Sequence, residues 1–293
     1  MKNQPDWFIK SLKTEKKNKS LEVQGATINF QQWGDPKNQG LVLVHGTGAH
    51  SHWWDFIAPL FIDQYEVVAL DLSGMGDSDH RKNYNSELFA KEILAVAESV
   101  NLFSNHRPYK PVICGHSLGG WMSATAGYIA KEKVSGVIMI DSPIRPPTFD
   151  YSRHRGSGPI RKIKTYSTKE AILERFRLAP EQPCKNKFIL DYIANWSIKK
   201  VKKGFEWKFD DTLFEKLQPA RGDREVAFKL DCNLGIIYGS NSPMMSEEVM
   251  NYMRSNVKEG TPIIPIEDSY HHVPLDQPIR LIEEIRSVID SWK

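Results

Sequence analysis

One pattern repeats along the chain: a short, continuous apolar run, then a longer amphipathic one. LVLVH (41–45), EVVAL (66–70), PVIC (111–114), VSGVIMI (134–140), LGIIY (234–238) and PIIPI (262–266) are the short runs. They are too brief for core helices and apolar at successive positions, as strands covered on both faces must be. SELFAKEILAVAESV (86–100), with Ser86 as N-cap and Leu88, Ile93 and Ala97 near one face, reads as a helix. So do the segments that start at Ser117, Ser246 and Pro278. LEVQ (21–24) and ATINFQQW (26–33), joined at Gly25, predict an opening hairpin. Strands alternating with helices predict an α/β fold: a mostly parallel sheet of eight strands flanked by helices.

Residues 142–217 interrupt this rhythm. TKEAILERFRLA, NKFILDYIANWSI and DDTLFEKL read as helices, with no strand among them. The expected organisation is a core of residues 21–141 and 218–293, a helical insertion over 142–217, and a loosely ordered arm over 1–20. Charge follows the same boundaries. Residues 1–19 hold six Lys against two acids, and residues 142–217 hold 17 Lys/Arg against nine acids, in a chain of net charge +3. Basic segments can mark nucleic-acid binding, but no such motif or aromatic platform accompanies this one, so a solvated lysine face is expected.

With 40% hydrophobic and 26% charged residues, the 293-residue chain has globular composition. Its apolar runs fall short of the roughly 18 residues of a membrane span, and its amino terminus lacks the apolar stretch of a secretory signal. Cys114, Cys184 and Cys232 form no CxxC pair, which predicts reduced thiols rather than a disulfide framework or a zinc site. These features together predict a cytoplasmic monomer or homodimer with no membrane or nucleic-acid partner.

GHSLG (115–119) directly follows the apolar PVIC and directly precedes a helical pattern. That is the strand, sharp turn and helix of a nucleophile elbow, in which two glycines permit the bend that exposes the central side chain. Ser117 is then the nucleophile, and the Leu118 N–H half of an oxyanion hole. HGTG (45–48), after LVLV, can supply the second donor; the Thr47 N–H is chosen by position, with Gly48 as alternative.

These motifs, with DLSGMGDSD (71–79) and HHVPLDQP (271–278), make the chain resemble the α/β-hydrolase superfamily over about residues 21–141 and 230–293. The resemblance implies a helical lid at 142–217. It also implies a catalytic histidine seven residues before the proline that opens the last helix, which gives His271, with His272 as alternative. The family's usual acid follows the seventh strand, where this chain has Ser242. Asp141, at the end of VIMI, is the preferred replacement, since some members carry a carboxylate there; Glu247, Glu248 and Asp268 stay open. Members that open epoxides or displace halide need Asp at position 117, so serine implies acyl transfer.

The expected function is a serine hydrolase of a carboxylic ester or related acyl bond, with neither metal nor organic cofactor. Alternatives are a carbon–carbon bond hydrolase or acyltransferase with the same triad, and a non-catalytic binder. Trp53, Trp54, His116 and Trp207 are expected to line the substrate pocket, with Trp121, Phe205 and Phe209 near them. His45 is expected to hold the oxyanion turn, and His50 and His52 to reach the pocket mouth. Large apolar walls suit an aromatic or medium acyl group. Arg145, Arg153, Arg155, Arg161 and Lys164 motivate an anionic substrate as a second reading.

Overall fold

The computed structural model describes residues 4–150, 162–218 and 224–293. Its strands are β1 (Lys17–Val23), β2 (Ala26–Trp33), β3 (Gln39–Val44), β4 (Tyr65–Leu70), β5 (Val112–His116), β6 (Gly136–Ile140), β7 (Ile198–Val201), β8 (Gly204–Trp207), β9 (Asn233–Gly239) and β10 (Ile263–Ile266). Eight of them form one sheet in the order β1-β2-β4-β3-β5-β6-β9-β10. β2 pairs antiparallel with β1 and β4, and the remaining pairs are parallel. Gln24 and Gly25, both at positive φ, close the β1–β2 hairpin as a two-residue turn requires.

The two-residue period of the strands divides the core. Leu41, Leu43, Val67, Ala69, Val112, Cys114, Ile138 and Ile140 point to one face, packed with Leu281, Ile285, Val288 and Ile289 of α8 (Pro278–Asp290). Val42, Val44, Val68, Leu70 and Ile113 point to the other, packed with α2 (Ser86–Ser99) and α3 (Leu118–Ala130). Burial on both faces is why these strands read as unbroken apolar runs. In α2 the N-cap is Asn85, whose side chain accepts from the Leu88 N–H, and Phe89, Ala90, Ile93, Val96 and Ala97 form the buried face. The expected cap at Ser86 is one residue late.

The amino-terminal segment is not a loose arm. Asp6–Lys13 is a helix, α1, and its Phe8 is wholly buried against Phe56, Phe188 and Tyr192. Lys16 spans to Asp55 at 2.8 Å and to Gln31 at 2.9 Å. The lysines surround an aromatic pair, Trp7 and Phe8, that supplies the packing.

The segment between β6 and β9 contains α4 (Lys169–Leu173), α5 (Lys187–Trp196), the β7–β8 hairpin and the single turn α6 (Leu213–Lys216). The hairpin corrects the expectation of helices alone. In β7, buried Ile198 is followed by exposed Lys199 and Lys200, and in β8 the aromatic Phe205 and Trp207 flank Glu206, a composition that suits a half-covered ribbon. Gly204 sits at φ +140°, where a Cβ would strike the Tyr166 carbonyl. Arg153, Arg155 and Arg161 lie outside the described residues.

This segment docks on loops at the carboxyl edge of the sheet from several sides. Phe209 bridges Met75, and the Asp210 N–H donates to the Gly74 carbonyl at 2.7 Å. Asn186 donates to the Leu275 carbonyl at 2.7 Å, and His50 Nε2 donates to Ser197 Oγ at 2.9 Å. His50 and His52 are therefore buried beneath the insertion rather than open at a pocket mouth; His52 pairs with Asp55 and stacks on Trp196. Among the described residues, no helix is long and apolar enough to cross a membrane.

Because Phe8 joins α1 to both the core and α5, Phe8→Ala should destabilise the protein by about 3–5 kcal/mol in urea unfolding, as for other buried aromatics. A loss below about 1 kcal/mol would mean that the segment is the loose arm first expected.

Candidate active site

Ser117 links β5 to α3 with φ +54° and ψ −119°, a backbone region that non-glycine residues rarely occupy. Two glycines make the bend sterically possible. A Cβ on Gly115 would collide with the Gly119 carbonyl, and one on Gly119 with the carbonyl oxygens of Val44 and His45. The Ser117 N–H donates to the Ile140 carbonyl at 2.9 Å, which ties the bend to the end of β6. Ser117 is left half-buried, beyond the carboxyl end of β5.

The loop after β10 brings His271 to it. His271 Nε2 lies 3.1 Å from Ser117 Oγ, and His271 Nδ1 lies 2.7 Å from Asp141 Oδ1. A carboxylate accepts, so Nδ1 carries the proton and Nε2 presents its lone pair to the serine hydroxyl. Asp141 follows β6 at φ +45° and is wholly buried. Its charge is met by the Gly239 N–H at 2.9 Å, the Ser242 hydroxyl at 2.7 Å and His271. Ser242, at the family's usual acid position, thus donates a hydrogen bond to Asp141. Glu247 and Glu248 on α7 (Glu247–Asn256) are exposed, as is Asp268, and none of them bonds to His271.

His272 faces elsewhere. Its Nε2 donates to the Pro180 carbonyl at 3.2 Å, and its N–H donates to Gln182 Oε1 at 2.9 Å. His116 Nε2 donates to the His271 carbonyl at 2.8 Å, so this ring steadies the loop that bears His271. Burial holds both rings neutral, pushing His116 down to about 3 and His272 well below the ordinary histidine range. His45 donates from Nδ1 to the Gly46 carbonyl at 2.7 Å and accepts the Leu72 N–H at 3.0 Å, fixing the HGTG turn.

Gly46 packs this turn against the serine: a Cβ there would lie 3.2 Å from Ser117 Cβ. At this turn the Gly48 N–H donates to Met75 Sδ at 3.3 Å. The Thr47 N–H has no acceptor among the described residues. The Leu118 N–H opens α3, where the first turn of N–H groups has no intrahelical acceptor.

The predicted pocket residues divide. Trp53 lies beside the site, its ring 6.3 Å from that of His116 and 5.6 Å from that of His272. Trp54 is 1% exposed and belongs to the main apolar core. Trp207 packs on Phe176 within the insertion, and Trp121 lies under the Arg224 guanidinium at 3.6 Å. Arg145 is set over Phe149, and Lys164 is exposed. The sequence reading missed the donors on Asp141 from Gly239 and Ser242, and the clamp on His272 from Pro180 and Gln182. These contacts join residues 90 or more positions apart, and no local pattern announces them.

The buried neutral histidines have a consequence for acid stability. Below about pH 6.5 an unfolded histidine takes up a proton that His272, its folded value depressed, refuses until far lower pH. Stability is then lost as pH falls, at roughly 1.4 kcal/mol per pH unit for each such ring. His272→Gln should shrink the loss of unfolding free energy between pH 7 and pH 5 by about 2 kcal/mol, measured in urea at both values. An unchanged loss would mean that His272 titrates normally in the folded protein.

The alpha/beta hydrolase family matches residues 41–284. Among curated proteins, the uncharacterised hydrolase YugF of Bacillus subtilis is 29% identical over 122 residues, 41% of this chain and 42% of that one. The chain thus spans less than half the length of the first curated relatives it matches. Esterase Rv0045c of Mycobacterium tuberculosis is 21% identical over 276 residues, covering 92% of this chain and 88% of that one. Among solved structures, E-2-(acetamidomethylene)succinate hydrolase superposes with a TM-score of 0.78 at 19% identity, over 94% of this chain and all of that one. The order of the sheet and the match over residues 41–284 lead to one conclusion: the chain belongs to the alpha/beta hydrolase family.

Proposed function

We propose that the protein is a serine hydrolase of carboxylic esters, with Ser117 as nucleophile, His271 as general base and Asp141 as the acid that orients and stabilises it. The observation that carries this reading is the continuous relay from Asp141 Oδ1 through His271, at 2.7 Å and 3.1 Å, to Ser117 Oγ. A protein that only bound ligands would have no use for a strained serine hydroxyl aimed at a buried imidazole. The family membership and a relative named as an esterase support the same class of reaction.

His271 Nε2 removes the Ser117 proton as Oγ attacks the ester carbonyl, and the imidazolium so formed is stabilised by Asp141. The tetrahedral oxyanion takes hydrogen bonds from the Thr47 and Leu118 N–H groups, which point at developing charge and need no reorganisation. Collapse breaks the ester C–O bond, and His271 returns its proton to the departing alcohol. Water, deprotonated by His271, then attacks the acyl carbonyl and releases the acid, restoring Ser117.

The insertion acts as a lid over this chemistry. Trp53 forms an apolar wall beside His116, and Phe209, through its bridge to Met75, closes the side near the oxyanion turn. An acyl group of aromatic or medium aliphatic character suits such walls.

Hydrolysis of p-nitrophenyl esters of graded acyl length tests the assignment. Ser117→Ala should abolish turnover. Asp141→Asn should lower kcat by at least about 100-fold, because an amide stabilises neither the tautomer nor the imidazolium. Ser242→Ala should cost no more than about tenfold, since the Gly239 N–H still holds the carboxylate. Equal losses in the Asp141 and Ser242 variants, or full activity in Asp141→Asn, would overturn the assignment of the acid.

A further inference from the structure

Three imidazoles converge beside Ser117. His116, His271 and His272 are all buried, and each offers a ring nitrogen within 4.8 Å of the other two. Their tautomers are fixed by what their other nitrogens bond. His116 Nε2 and His272 Nε2 donate to backbone carbonyls, and His271 Nδ1 donates to Asp141. The nitrogens left over are therefore unprotonated, and that of His271 accepts from Ser117 Oγ. His116 Nδ1 and His272 Nδ1 have no hydrogen-bond partner among the described residues, although both are buried.

Two buried acceptors without donors are costly in a folded protein, and catalysis as derived above uses neither of them. Their arrangement is that of ligands. In metal sites a coordinating histidine presents one lone pair and donates its other N–H to a carbonyl or carboxylate, and all three rings here do so. Asp141 behind His271 completes a carboxylate–histidine unit and supplies a buried negative charge. Neutral imidazoles suit Zn²⁺ and its neighbours, not Mg²⁺ or Ca²⁺, which select oxygen.

The geometry points to an inhibitory transition-metal site, in which Zn²⁺ is held by His116 Nδ1, His272 Nδ1 and His271 Nε2. With Zn–N near 2.0–2.1 Å, tetrahedral ligand nitrogens stand roughly 3.4 Å apart, so rings whose nitrogens lie within 4.8 Å of one another must close in by up to about 1.4 Å through side-chain rotation. His271 Nε2 is the atom that accepts from Ser117 Oγ. Coordination occupies its lone pair, leaves the serine proton without an acceptor, and places the ion where the substrate carbonyl would sit. No proton is released from the three rings, because each binds in the tautomer it already has. The inhibition rests on the proposed role of His271, whereas the binding rests on the cluster alone.

Calorimetric titration of the full chain with Zn²⁺ should show one ion bound per chain. Mg²⁺ should produce no binding heat. His116→Gln and His272→Gln should each weaken Zn²⁺ affinity at least about tenfold, while Ser117→Ala should bind as the wild type does. X-ray absorption at the zinc edge of the wild-type complex, which requires no variant to fold, should show three imidazole nitrogens at about 2.0–2.1 Å. A wild type that takes up no Zn²⁺, a coordination shell without imidazole, or unchanged affinity in both histidine variants would overturn the site. In the p-nitrophenyl ester assay Zn²⁺ should inhibit and a chelator should restore turnover; binding at the three rings without inhibition would overturn the inhibitory part. If the metal-free enzyme hydrolyses no ester while Zn²⁺ still binds the three rings, the metal site stands and the esterase reading fails.

Discussion

Ser117 occupies a backbone conformation that costs on the order of 1–3 kcal/mol, and the surrounding structure is arranged to hold it there. The Ser117 N–H is tied to the end of β6, and the bare backbone of Gly119 lies against the carbonyls of Val44 and His45 at the end of β3. The three central strands β3, β5 and β6 are thus in register with the turn itself. Relaxing the bend would require sliding strands whose every residue is buried, so the strain persists.

A second constraint follows from charge. Asp141 leaves β6 at positive φ and ends wholly buried, where an unpaired carboxylate would not remain ionised. The Gly239 N–H, the Ser242 hydroxyl and His271 satisfy it together. The same turn after β9 anchors the loop that carries His271, since the Asn241 N–H donates to the Ser269 carbonyl at 2.9 Å and the Ser240 N–H to the Ile266 carbonyl at 2.9 Å. Holding Asp141 and orienting His271 are one structural task, carried by the ends of β6, β9 and β10. The insertion shares in it, because Gln182 and Pro180 fasten His272, the residue that follows His271.

The sheet was legible because two-sided burial leaves unbroken apolar runs, and the elbow was legible because a tight strand-to-helix bend needs glycine two residues either side of Ser117. That a carboxylate at the end of the VIMI run could face the histidine loop also followed from position, as the parallel strands β6 and β10 end at the same edge. What stayed hidden depended on partners far away in the chain. Phe8 looked like part of a lysine-rich leader because its packing partners, Phe56, Phe188 and Tyr192, come from separate regions. The β7–β8 hairpin was obscured by Lys199 and Lys200, which suit exposed strand positions as well as a helix face, and by Lys202 and Lys203 in its turn. Ser242 stands where the resemblance led one to expect an acid; its hydrogen bond to Asp141 became visible only with both loops in place.

The claim at the centre of this account is that the bend at position 117 makes one hydroxyl, among many serines, nucleophilic. Reaction with a fluorophosphonate, followed by peptide mapping, tests it without knowledge of the substrate. A single adduct on Ser117, absent in Ser117→Ala and slowed in Asp141→Asn, is the predicted result. No adduct on folded wild-type protein, or an adduct that persists when Ser117 is replaced, would contradict it.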